Sequence, residues 1–153
     1  MDPKNWPDLL TSTRWAALGT VNEVGTPHVS NVACAIGEGR LLIHVSNLAA
    51  HTGNLISKPV FSLLLSEPDS PEQTDPQLLA RLTISGTAEA IPRNSTDFSA
   101  AAQRHITQFP ESEMRFGFAD FYLIKLIPES GNFVGGFAKA VRLKGEKNAA
   151  ALV

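Results

Sequence analysis

Apolar residues recur along this chain in short runs with a period near two, punctuated by Gly, Pro, Asn and Ser, and a helical period takes over in a few segments. WAALGTVN (15–22), PHVSNVACAI (27–36) and LLIHV (41–45) read as three strands. The turns between them, Glu23-Val24-Gly25-Thr26 and Gly37-Glu38-Gly39, are short, so the three make an antiparallel meander. VFSLLLS (60–66) is nearly continuous in apolar residues and reads as a buried strand. ARLTISGTAEAI (80–91) is a long strand whose central Gly86 predicts a bulge or bend. FADFYLIKLI (118–127) is another strand, and NFVGGFAKAVRL (132–143) a last strand or strand pair broken at Gly135-Gly136.

Three segments read as helices. The first covers 7–14, with Pro7 and Asp8 suited to its first turn. In the second, LAAHTGNLIS (48–57), Ser46 and Asn47 serve as N-caps and Lys58-Pro59 ends the helix. The third is capped by Asn94 and Ser95 and sets Phe98, Ala102, His105, Ile106 and Phe109 on one face. Residues 67–77 hold three prolines and several acids and read as a solvated loop. With no repeat and no long linker, 1–153 is a single domain with a frayed tail from Lys144. The pattern predicts a mainly β fold, a closed or nearly closed antiparallel barrel with peripheral helices.

Composition narrows the partners. The net charge of -2 implies no broad basic field, which argues against nucleic acid or an anionic membrane. The single cysteine, Cys34, rules out an intrachain disulfide and argues against a zinc or iron–sulfur site. The N-terminus lacks the apolar run of a secretory signal and no stretch is long enough to span a membrane, so the expectation is a cytoplasmic protein.

Candidate chemistry concentrates in a few places. On a helical wheel Leu48, Leu55 and Ile56 share a face that contains Thr52 and has His51 at its edge. A helix N-terminus offers free N–H groups, so Ser46, His51 and Thr52 form a candidate phosphate site. The alternative is that Thr52 bonds back to its own helix and His51 is merely exposed. Arg81 alternates with Thr83 and Ser85, giving one polar strand face that is either solvated or a ligand wall. Small residues at Ser30, Ala33, Cys34 and Ala35 leave room for something flat or serve close strand packing. His28, His44 and His105 show no metal-ligand spacing, and Cys34 in its apolar strand reads as inert.

The stretch from Leu18 to Leu65 resembles the core of the pyridoxamine 5′-phosphate oxidase-like family. The closer resemblance is to its branch of haem-utilisation proteins, which carry SxLAxHTxNL (here SNLAAHTGNL), an ARLTxxG strand (here ARLTISG) and a late VGGF (here 134–137). The resemblance covers roughly residues 6–143. It implies an FMN-binding split barrel of antiparallel Greek-key type that dimerises with FMN at the homodimer interface. By position it implies that Ser30, Asn31 and Val32 run beside the isoalloxazine ring, that Ser46, His51 and Thr52 hold the phosphate, and that Arg81 contacts the flavin or its phosphate end. Pyridoxamine phosphate oxidases carry Arg-Lys where this chain has Ala50-His51, and basic residues where it has Ser30 and Ala35. Vitamin B6 phosphate is therefore not the expected substrate. Haem-degrading relatives often use a histidine near the C-terminus, and this chain has none after His105. The first expectation is an FMN-dependent oxidoreductase with no assignable catalytic residue. The alternatives are a flavin- or haem-binding storage module, and a haem-degrading protein that ligates iron through His28, His44 or His105.

Overall fold

Alternation along the strands sets the architecture, which the computed structural model describes for residues 5–37, 40–73, 75–136 and 140–144. The elements are α1 (Trp6–Ser12), β1 (Trp15–Val21), β2 (Pro27–Gly37), β3 (Arg40–Ser46), α2 (Ala50–Ser57), β4 (Val60–Ser66), β5 (Arg81–Ala90), α3 (Phe98–Gln108), β6 (Phe121–Val134) and β7 (Ala140–Lys144). Two 3-10 helices, Pro76–Leu78 and Pro110–Gly117, complete the set. All strand pairings are antiparallel in the order β3-β2-β1-β4-β5-β6-β7, and β3 also pairs with β6. That extra pairing closes six strands into a barrel, with β7 added outside it.

Leu18, Val32, Ile43, Leu63, Leu82, Ile84 and Leu126 point into the barrel, and Leu9 of α1 and Leu55 of α2 join the same core. A second core forms outside the barrel, where Ala101, Ala102 and Phe109 cover Ala35, Leu42 and Leu123. β3 thus contributes to both cores, which is why Leu41-Leu42-Ile43 is apolar without a break. Cys34 and Ala35 are fully buried, so these small residues serve close packing. The same burial pushes the Cys34 thiol up to about 12, which keeps it protonated and inert.

Several expectations change at the element ends. β4 is buried on one face only: Val60 and Leu64 are exposed while Phe61, Leu63 and Leu65 are buried. α2 starts at Ala50, and its N-cap is Ala49 with no side-chain bond, not Ser46 or Asn47. Leu48 therefore lies outside the helix and is 89% exposed, Ile56 is exposed too, and the buried stripe of α2 is Thr52 and Leu55. α3 begins at Phe98 after Asp97, later than the expected caps Asn94 and Ser95. Of the face read from the sequence, Ala102, His105 and Phe109 are buried and Phe98 and Ile106 half-buried, and Ala101 is buried as well. The segment after Phe109, to which the sequence pattern assigned no element, is a 3-10 helix, and β6 runs through Pro128 to Val134 as one strand of 14 residues. The Val134-Gly135-Gly136-Phe137 segment is described only as far as Gly136, and Phe137 lies outside the described residues.

Candidate functional site

The outer surface of β2, β1, β4 and β5 carries the main concavity. Cross-strand register aligns Ala33 with Trp15, Asn31 with Ala17, Ala17 with Leu64, Leu64 with Thr83, and Ser66 with Arg81. Ala17 and Leu64 lie at the centre of this face, and Trp15 stands at one end of it, 63% exposed. The end of α1 and the 67–79 loop rise on either side. Together they bound an open groove of about 1190 Å³ lined by Arg14, Trp15, Asn31, Leu64 and Arg81 among others. That volume exceeds the ~300–1,000 Å³ usual for small-molecule pockets. The polar face foreseen on β5 is thus partly a groove wall. Arg14 and Trp15, which sequence reasoning passed over, belong to the same site; the signal available was a cation beside an aromatic at the start of a strand with small outward residues.

The two arginines are held differently. Arg81 donates through Nη1 to the carbonyls of Gln77 and Leu79, each at 3.1 Å, and so pins the 3-10 helix at Pro76–Leu78. Arg14 donates through Nη2 to the Gln108 carbonyl at a long 3.4 Å, with its guanidinium 5.2 Å from the Phe109 ring centre. The acids of the loop wall are engaged with their own backbone. The Glu67 carboxylate accepts from the Ala80 N–H, and Asp69 accepts from the Ser70 N–H at 3.0 Å.

The residues expected to line a flavin do not all meet in this groove. Strand alternation divides Ser30 and Val32 from Asn31: Asn31 lines the groove, Val32 is in the barrel core, and Ser30 turns toward α2. Ser30 Oγ and His51 Nδ1 lie 2.8 Å apart. Burial first, and the charge of His28 second, lower the His51 pKa. Thr52 is fully buried and its hydroxyl donates to the Ser46 carbonyl at 2.6 Å, while Ser46 Oγ accepts from the Leu48 N–H at 3.1 Å. Thr52 therefore bonds back to the turn that leads into α2. Asn54 ties the helix to the barrel by donating to Thr20 Oγ1 at 3.0 Å. As arranged, the Thr52 hydroxyl is engaged with the turn, while Ser46 accepts through Oγ and keeps its O–H as a donor.

His44 and His105 lie elsewhere, in the second core. Phe116 stacks on the His44 ring at 3.7 Å between centroids, and His105 meets His44 edge-on at 5.7 Å. His105 Nδ1 is 3.0 Å from Ser112 Oγ. Arg93 donates to the Phe116 and Phe118 carbonyls and closes the cluster.

The CREG beta-barrel family model matches residues 4–147. This chain belongs to the CREG beta-barrel family. One relative is the heme oxygenase HutZ of Vibrio cholerae, 29% identical over 136 residues that cover 84% of this chain and 73% of that protein. A heme binding protein from Mycobacterium smegmatis has a similar structure, with a TM-score of 0.85 and 26% identity over 98% of this chain. This CREG-family chain spans 60% of that protein's length. A Clostridium acetobutylicum protein of the pyridoxinephosphate oxidase family shares the fold at 19% identity, with a TM-score of 0.64 over 90% of each chain. The split barrel expected from the sequence is the observed fold.

Proposed function

We propose that this chain binds haem in the groove over β1, β4 and β5. The observation that carries the reading is the groove itself, a roomy face with an exposed tryptophan and two arginines at its edge. An apolar macrocycle with carboxylate side chains matches such a surface. The relatives named as a heme oxygenase and a heme binding protein support it. None of the described groove residues is His, Cys, Met or Tyr, the side chains that hold haem iron. The groove therefore recognises the ring and its carboxylates, and an axial ligand comes from outside its described lining.

FMN, the cofactor implied by the family resemblance, is supported by the fold. The proposed assembly is a homodimer. Val29 on β2, 70% exposed, and Leu48, Ile56 and Val60 around α2 leave an apolar area whose burial against a second copy would be favourable.

Titrating the full chain with haem tests the proposal. A saturable Soret band is expected, with FMN binding more weakly in a parallel fluorescence titration. FMN bound tightly with no spectral response to haem would overturn it. Adding a reductant in air to the haem-loaded protein then separates two activities: loss of the Soret band indicates haem breakdown, and its persistence indicates binding or storage.

A further inference from the structure

We infer that Arg14 is the anion-recognising residue of the groove, held in place by the C-terminal end of α3, and that it selects a flat ligand with carboxylates along one edge. The inference deepens the haem-binding reading and rests on the same groove, although it concerns the organic ring and not the iron.

The division of labour follows from the hydrogen bonds. Arg81 has both Nη1 donations directed to Gln77 and Leu79, so part of its fork is engaged in folding the loop. The contacts of Arg14 are one long bond to Gln108 and the face of Phe109. A ring face orients a guanidinium without consuming its N–H donors, so most of its five donors stay available for a planar carboxylate. Neither arginine has an acidic partner within ion-pair distance among the described residues, and Arg14 is exposed.

α3 is well placed to position this side chain. The Gln108 amide is locked to β2, accepting from the Ile36 N–H at 3.0 Å and donating to the Ile36 carbonyl at 2.7 Å. Phe109 is buried against the second core. The backbone of Arg14 is fixed as well, its carbonyl accepting from the Cys34 N–H at 3.3 Å. Arg14 is thus anchored at its main chain by β2 and steered at its tip by α3.

The ligand class follows from the surroundings. Trp15 follows Arg14 in the chain and offers a flat apolar surface to a ring. Glu67 and Asp69 lie on the loop side, where they repel a ligand that is anionic all round. A ring with an apolar body and its carboxylates gathered on one edge, as in a porphyrin, satisfies both.

The test uses the full chain and the iron-free porphyrin, protoporphyrin IX, beside its dimethyl ester, with binding read from porphyrin fluorescence. Arg14→Ala should weaken binding of the free acid by about tenfold to a hundredfold, the range of a charge-assisted hydrogen bond, and leave the ester unchanged. Arg14→Lys should recover part of the loss, since it returns charge without the fork. Gln108→Ala should weaken the free acid less than Arg14→Ala does and spare the ester, as expected of a positioning residue. Circular dichroism and melting confirm that each variant is folded. Equal binding of the free acid by wild type and Arg14→Ala would overturn the inference, as would parallel losses for acid and ester. Failure of wild type to bind either porphyrin would also overturn it. Porphyrin binding that depends on Arg14, without any binding of haem, would leave the inference standing and remove the haem reading.

Discussion

His44 and His105 show what a single buried side chain does to this protein. His105 is 2% exposed, and its Nε2 and the Nδ1 of His44 are buried with no hydrogen-bond partner among the described residues. Burial is the main force that lowers both pKa values from 6.5 to about 4; Arg115 adds to it at both rings, and His105 and Arg93 add to it at His44. In the unfolded chain both rings take up protons near pH 6.5, whereas the folded protein resists until about 4. Stability is therefore fully present above about pH 6.5 and falls as the pH drops toward 4. Melting temperatures measured from pH 8 to pH 4 should decline across that window, and His105→Gln, which keeps a partner for Ser112 but does not titrate, should flatten the decline. A flat wild-type profile would contradict the neutral burial of the pair. The sequence placed His105 on the apolar face of α3. It did not disclose its neighbours, because Phe116 and Ser112 arrive on a 3-10 helix whose short, polar pattern carries no helical period.

At the scale of elements, the pairing of β5 with β6 shows why strand ends were misjudged. Their register shifts between Ser85 and Gly86, leaving Glu129 of β6 unpaired as a bulge between Pro128 and Ser130. Proline lacks an N–H and is accepted at such an irregularity, so Pro128-Glu129-Ser130-Gly131, which has the composition of a turn, stays inside a long strand. Gly86 was legible as the site of a bend, and its reason is steric: a Cβ there would lie 1.9 Å from the Ile127 carbonyl oxygen. Gly86→Ala should cost at least about 3 kcal/mol, measured by chemical denaturation, because main chain must move. A substitution with little effect would mean that the bulge relaxes easily. α2 carries the complementary lesson. The SNLAAHTGNL motif located the helix, but a motif does not say which hydroxyls are already engaged, and Thr52 proved to be bonded to Ser46.

For the molecule as a whole, the open question at the surface is what covers Val29, Leu48 and Ile56. Sedimentation equilibrium at micromolar concentration should show a dimer, and Val29→Glu or Ile56→Glu should shift it toward monomer; a monomeric wild type would refute the proposed assembly. The amino-acid sequence by itself determined the barrel class, since period-two alternation with tight turns admits few other solutions, and it determined the apolar face of α3, since that face follows from spacing alone. It also marked Arg81 as a polar residue on a long strand. Tertiary structure alone decided that Arg14, Trp15 and Arg81 share one groove, because strands distant in sequence become neighbours only through the β1–β4 and β4–β5 pairings. It alone decided that Ser30 meets His51 while Asn31 enters the groove, and that Thr52 is engaged with the turn before α2. Local pattern reports which side chains are polar; the partner each one finds depends on the path of the remaining chain.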